Sequence, residues 1–434
     1  MNVCVQGLWH LGCVTAAGLA SIGHRVTGLD AEQGNVENLS LGKAPLYEPG
    51  LDELIQQGIA VGNLRFASSA AEAVMDAEVL WVAYDTPVDD DDRADVDFVL
   101  DQVKHVLPSL PVGATVVVSS QMPVGSIQRL EEFAATHHAD RDLGFAYSPE
   151  NLRLGKALEV FLNPDRIIVG TRREQDRQRL EQLLLPLNAR IEWMTVESAE
   201  MTKHAINSFL ATSVTFANEI AALCELAGAD AKEVERGLKS EQRIGPKAYL
   251  SPGGAFAGGT LARDIIFLNL ISKREGLNTP LLAAVKPSND EHKNWARRRL
   301  LASFPDLKGK TIAIWGLTYK PGTDTLRRSL AVELCSWLLD QGAVLRVHDP
   351  AVTLLPPDWP ERVTRCATPT EAINSAVALI VATEWPEYRD VPSSEILPPA
   401  GKLLIIDANR FLANLANVMG VEYAAVGTPR RHAS

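Results

Sequence analysis

Near its N-terminus the chain carries Gly7-Leu8-Trp9-His10-Leu11-Gly12, and Asp30 stands eighteen residues beyond Gly12. The first glycine suits a tight turn after a strand, the last suits close helix packing, and an acid ending the next strand can hold ribose hydroxyls. A helix opening at the turn would offer its N-terminal amides to a pyrophosphate. Together these features predict a dinucleotide site, and Asp30 favours NAD over NADP. Trp9 occupies the place of the second glycine, where backbone must approach the pyrophosphate. Either it closes over an empty cleft, or it points outward or covers the cofactor with its amide still available. Farther along, Lys203 and Asn207 lie four residues apart, so on a helix they share a face and can aim two donors at one oxygen.

The elements that must position these groups follow a two-part rhythm. Apolar β-type runs at 3–5, 25–29, 78–83, 115–119 and 166–170 alternate with helical patterns, which predicts a doubly wound parallel sheet. Residues 197–224 contain no Gly or Pro and place apolar residues at i, i+3, i+4, the mark of one long helix. A second rhythm begins at Lys310, with strands at 311–315, 344–347, 378–382 and 403–406 and a helix after Ser329. The expected fold class is α/β: two Rossmann-like doubly wound parallel-sheet domains joined by a long central helix and a helical middle region. Expected boundaries are 1–195, 196–300 and 301–434. The Pro-rich stretch 355–360 and the acidic run 89–92 are expected as surface loops, with a metal site the remote alternative for the acids.

With 434 residues the chain is too long for one core, and 46% apolar against 22% charged residues is ordinary for a globular protein. A net charge of -12 disfavours nucleic acid and anionic membranes as partners. No segment is expected to reach the apolar length that crosses a bilayer, and a strand at the very start leaves no room for a secretion signal, so a cytoplasmic location is expected. Cys4, Cys13, Cys224, Cys335 and Cys366 are odd in number, lack a CxxC pair and are read as reduced core residues.

Several ordered stretches resemble the UDP-glucose/GDP-mannose dehydrogenase family, from residue 1 to about 412. They are Pro45-Leu46-Tyr47-Glu48-Pro49-Gly50-Leu51, Asp85-Thr86-Pro87, Ser148-Pro149-Glu150-Asn151-Leu152-Arg153, Glu200 through Asn207, Arg243-Ile244-Gly245, and Gly316-Leu317-Thr318-Tyr319-Lys320-Pro321-Gly322-Thr323-Asp324. Arg327, Asp349-Pro350 and Thr383-Glu384-Trp385 follow in order. The resemblance implies NAD as cofactor and a nucleotide-sugar substrate held between the domains, with the sugar facing Gly258. It makes the three regions an NAD-binding domain, a dimerisation region and a nucleotide-sugar-binding domain, and a homodimer built on the long helix. Lys203 and Asn207 take the oxyanion role, Glu150 the hydrolytic glutamate and Asp264 the water-activating aspartate; the plain alternative leaves Lys203 and Glu150 as a mere ion pair. Leu152, Phe256, Gly258 and Lys320 are expected to contact the nucleotide sugar, and Arg243 to reach the substrate of a second subunit. Thr86 and Gln121 fall near the nicotinamide side, Arg263 and Arg327 near the cofactor phosphates.

Family members oxidise a sugar C6 alcohol to a carboxylate with two NAD molecules through a cysteine thioester. Here Ala255 through Asp264 aligns with GFGGSCFPKD, and Thr260 replaces the cysteine. A thiol can ionise in a favourable site, whereas an unactivated secondary alcohol stays protonated and attacks poorly. Gln121 replaces a threonine, and Asp407-Ala408-Asn409-Arg410 stands for DGRN, which puts Asn409 where the family has its arginine. Three readings remain: a single hydride transfer between alcohol and aldehyde, full oxidation through an aldehyde hydrate, and a catalytically silent nucleotide-sugar binder.

Overall fold

The computed structural model describes residues 1–89, 94–150, 152–257, 259–359, 361–396 and 402–429. The chain divides into two compact units, Met1–Ile206 and Asn207–Ser434. The first holds eight strands: β1 (Asn2–Gln6), β2 (Arg25–Leu29), β3 (Leu64–Ala67), β4 (Val79–Val82), β5 (Thr115–Val118), β6 (Gly144–Tyr147), β7 (Ile167–Thr171) and β8 (Ile191–Met194). They lie in the order β3-β2-β1-β4-β5-β6-β7-β8. All neighbours run parallel except β6 and β7, which are antiparallel and depart from the uniform sheet the rhythm predicts.

The second unit repeats the plan with β9 (Thr311–Trp315), β10 (Val344–His348), β11 (Val363–Arg365), β12 (Ala378–Val381), β13 (Leu403–Asp407) and β14 (Val421–Ala424). Their order is β11-β10-β9-β12-β13-β14, parallel throughout. Helices cover both faces of each sheet, so the central strands are apolar at successive positions rather than at alternate ones. Cys4, Leu80, Val82, Val116 and Val118 enter one core of the first unit, and Val3, Val5, Val79, Trp81 and Val117 enter the other. All five cysteines are buried and unpaired.

The helix Val196–Ala227 is 32 residues long. Thr195 Oγ1 accepts from the Ser198 amide at its start, and Gly228, at φ +78°, turns the chain out at its end. Its most apolar 18-residue window has a mean hydropathy of 1.3. By length and composition it could cross a bilayer, so the expectation that no segment reaches that length is corrected. Two of its buried polar groups nevertheless have protein partners: Glu200 accepts from the amides of Gly125 and Ile127, and His204 Nε2 bonds the Met122 carbonyl. That is how a helix packed against protein satisfies its polar atoms.

Candidate active site

The turn after β1 has the geometry a dinucleotide requires. Gly7 sits at φ +91°, and a Cβ on it would meet the Tyr84 ring at 2.7 Å. A Cβ on Gly12 would come within 1.8 Å of the Gly7 carbonyl oxygen, so the helix can start this close to the strand only with glycine there. That helix, His10–Ser21, begins without a side-chain cap and without an acid in its first turn, which suits its amides to an anion. Trp9 has ordinary extended backbone, φ -93° and ψ -154°, and is 50% exposed. The side chain therefore does not fill the turn. Asp30 Oδ2 accepts from the Leu8 amide at 2.9 Å and from Asn35 Nδ2 at 3.2 Å. These residues fit NAD, with the pyrophosphate against the glycine turn and a ribose against Asp30.

A residue without an assigned role in the sequence reading organises the neighbourhood. Glu48 is 4% exposed. It accepts from His10 Nε2 at 2.9 Å and from the amides of Gly155 and Ala157, each at 2.7 Å. Burial pushes this carboxyl up, but His10 and the two amides outweigh it and hold it below the usual carboxylate range. Glu48 thus ties the opening of the helix His10–Ser21 to the segment around Gly155 and Ala157. The only sequence signal was its place in the Tyr47-Glu48-Pro49-Gly50 stretch.

Lys203 is buried, and its Nζ donates to the Glu150 carbonyl at 2.5 Å and to Glu150 Oε1 at 3.3 Å. Glu150 Oε2 accepts from the Leu152 amide at 2.7 Å, which fixes the loop around the carboxylate. Thr86 and Gln121 are both buried, and Thr86 Oγ1 donates to the Gln121 carbonyl at 2.8 Å.

In the second unit Asn207, one helical turn beyond Lys203, donates through Nδ2 to Asp264, which is fully buried. Lys203 and Asn207 therefore each hold a carboxylate of their own here. Thr260 is the exposed first residue of the helix Thr260–Arg274, and Arg263 and Asp264 lie in its first turns. Gly258 lies outside the described residues, as do three of the four acids at 89–92. Arg327 is exposed, and Arg243, 88% exposed, pairs with Glu241 at 3.0 Å.

A cavity of about 450 Å³ lies within this unit, walled in part by Phe256, Trp295, Tyr319, Lys320, Ala382 and Asn409. Its size suits a nucleotide-sized ligand, and it opens at the C-terminal ends of β12 and β13, where parallel sheets bind ligands. Asn409 faces it, while Arg410, at φ +60°, is committed to Asp230 by two contacts of 2.9 and 3.1 Å.

Comparison with known proteins bears on what these sites hold. Residues 1–188 match the NAD binding domain of the UDP-glucose/GDP-mannose dehydrogenase family, 197–291 its central domain and 313–414 its UDP binding domain. The chain belongs to this family. It is 34% identical over 445 aligned residues to the UDP-glucose 6-dehydrogenase of Pseudomonas aeruginosa, covering 99% of this chain and 98% of the relative. It is 32% identical to that of Bacillus subtilis, covering 98% of each. The solved UDP-glucose dehydrogenase of Pyrobaculum islandicum superposes with a TM-score of 0.88 at 30% identity, covering 99% of this chain and 98% of that one. This member of the family is accordingly an NAD-dependent enzyme of the nucleotide-sugar dehydrogenase kind, with NAD as its cofactor.

Proposed function

We propose that the protein transfers one hydride between the C6 alcohol of a nucleotide sugar, a UDP-sugar by preference, and NAD, without a thioester intermediate. One observation carries this reading: residue 260 is a threonine. Cys4, Cys13, Cys224, Cys335 and Cys366 are all buried, and burial pushes every one of these thiols up. A thiol so placed supplies no thiolate to capture an aldehyde. Bound NAD supplies the hydride acceptor. In this reading Glu150 and Asp264 handle the hydroxyl proton, Lys203 and Asn207 donate to the sugar oxygen as it becomes a carbonyl, and Thr260 hydrogen-bonds the sugar. Gly7, Trp9, Gly12, Asp30, Thr86, Gln121, Arg263 and Arg327 hold the cofactor; Leu152, Phe256, Gly258 and Lys320 hold the nucleotide sugar.

The test is to incubate the protein with NAD and a panel of UDP-, GDP- and dTDP-sugars, counting NADH and weighing products. One NADH per aldehyde is expected; two with a uronic acid would refute the one-hydride reading. Thr260→Cys is expected to gain the second equivalent. A second reading, full oxidation through the aldehyde hydrate, draws support from Asp264, whose buried carboxylate is held by Asn207. Solvent-oxygen labelling identifies it, and a trapped acyl-enzyme excludes it.

A homodimer belongs to the same proposal. Phe209, Phe216 and Leu223 stand exposed at seven-residue intervals along the long helix, a spacing that suits a helical seam against a second copy. Arg243 would then reach the second subunit's substrate. Sedimentation of Phe216→Glu should show monomers where the parent shows dimers; equal masses would sink the assignment.

A further inference from the structure

The segment Gly253-Gly254-Ala255-Phe256 has two glycines and an alanine, so it offers little side chain with which to order its own backbone. Side chains from three other elements do it instead. Asn218, on the long helix, accepts from the Gly253 amide at 2.9 Å and donates to the Gly254 carbonyl at 3.3 Å. Asn289, on the helix Pro280–Lys293, accepts from the Phe256 amide at 2.9 Å and donates to the Phe256 carbonyl at 2.8 Å. His292 Nε2 donates to the Gly253 carbonyl at 2.8 Å, and Asn409 Oδ1 accepts from the Gly254 amide at 2.7 Å. Amide and carbonyl of Gly253, Gly254 and Phe256 are all met this way. The approach is close enough that a Cβ on Gly253 would lie 2.0 Å from Asn409 Oδ1.

An asparagine side chain presents the donor and acceptor of a peptide group, so Asn218 and Asn289 grip the segment as a neighbouring strand would. Both are 2% exposed. Gly254, Phe256, Ala257, His292 and Asn409 wall the 450 Å³ cavity, whereas Asn218 and Asn289 do not. Any effect of these two on a ligand there must pass through the backbone they hold.

We infer that Asn218 and Asn289 are positioning residues for nucleotide-sugar binding: they set the backbone from which Phe256 enters the cavity and from which the chain runs on to Thr260. The inference rests on reading that cavity as the nucleotide-sugar site. A buried asparagine that served only the stability of the fold would lower the melting temperature and leave affinity alone.

Asn218→Ala and Asn289→Ala are compared with the parent by calorimetry with UDP and, separately, with NAD, and by hydrogen exchange of residues 253–257. The expected result is a UDP Kd raised roughly tenfold, the scale of one or two lost hydrogen bonds, faster exchange confined to 253–257, and unchanged NAD affinity. A UDP Kd within twofold of the parent in both variants, with exchange unchanged, overturns the inference. Should Asn289→Ala fail to fold, shown by loss of its melting transition together with NAD binding, Asn218→Ala carries the same comparison alone. If the parent itself ignores UDP, the cavity reading falls, and exchange at 253–257 alone decides whether the asparagines hold the segment.

Discussion

The two sheets begin with the same device and then diverge. After β1, Gly7 at φ +91° donates to the Leu29 carbonyl at 3.0 Å, and Asp30 accepts from the Leu8 amide at 2.9 Å. After β9, Gly316 at φ +87° donates to the His348 carbonyl at 2.8 Å, and Asp349 accepts from the Leu317 amide at 2.7 Å. From there the first chain enters its helix at His10 with no side-chain cap. The second runs on to Leu330, where Ser329 Oγ accepts from the amides of Ala331 and Val332. The acids differ in the same sense. Asp30 is partly exposed. Asp349 is 4% exposed and accepts from Thr318, Ala351, Val352 and Trp385 besides Leu317. Strand order and glycine turn are therefore common property of the fold. What suits the first turn, and not the second, to a dinucleotide is a helix start beside it with no side-chain cap and an acid that is partly exposed.

The harshest way to break this comparison is Gly12→Ala. The added methyl meets backbone, the Gly7 carbonyl oxygen at 1.8 Å, and so cannot be relieved by a rotamer change. NAD affinity should fall more than about 100-fold, roughly 3 kcal/mol, while UDP affinity of the second unit stays within twofold. Calorimetry with each ligand reads both numbers, and retention of NAD binding within tenfold would mean that the turn is not where the pyrophosphate lies.

Next come the two acids, whose substitutions should have opposite signatures. Asp349→Ala strips a buried carboxylate from several amides and should cost about 2–4 kcal/mol of stability without changing NAD affinity. Asp30→Ala should cost about 1 kcal/mol, weaken NAD roughly tenfold and reduce the preference for NAD over NADP. Denaturant melts and cofactor titrations on the pair decide it; equal losses of NAD affinity would erase the distinction between structural and ligand-facing acid.

The sequence made much of this legible where burial is continuous. β9 is found at its predicted bounds, and β12 and β13 within one residue of theirs, because parallel strands covered on both faces are apolar at nearly every position. β3, β6, β8, β11 and β14 were missed: β3, β8, β11 and β14 are short, partly buried and lie at sheet edges, while β6 is a fully buried interior strand whose four residues, Gly-Phe-Ala-Tyr, are too short a run to stand out. The antiparallel step between β6 and β7 left no trace, since strand direction is not written in local hydrophobicity. Lys203 and Asn207 were visible as neighbours by helical spacing. The links His10 to Glu48 and Asn289 to Phe256 were not, because a contact from a helix to a loop distant in sequence has no period to betray it.

A milder probe is Ser329→Ala, which removes the hydroxyl that fills the helix start of the second unit. Loss of such a cap costs about 1 kcal/mol, and NAD affinity should not move. If Ser329→Ala instead created measurable NAD binding at a second site, capping alone would be what separates the two halves.

The smallest effect is expected at the residue that looked most damaging in the sequence. Glycine is demanded by conformation at Gly7, but Trp9 has extended backbone that any residue adopts, and its carbonyl already accepts from the Cys13 amide as the first bond of the helix. Half of the side chain is exposed, so the indole is not wedged into the turn. Trp9→Gly should therefore leave NAD affinity within about threefold, with a stability loss near 0.5–1 kcal/mol from the added backbone freedom. A tenfold gain in affinity would show that the indole obstructs the pyrophosphate, and a tenfold loss that it covers the bound cofactor; either result would make Trp9, rather than the open helix start, the feature that sets the first half apart.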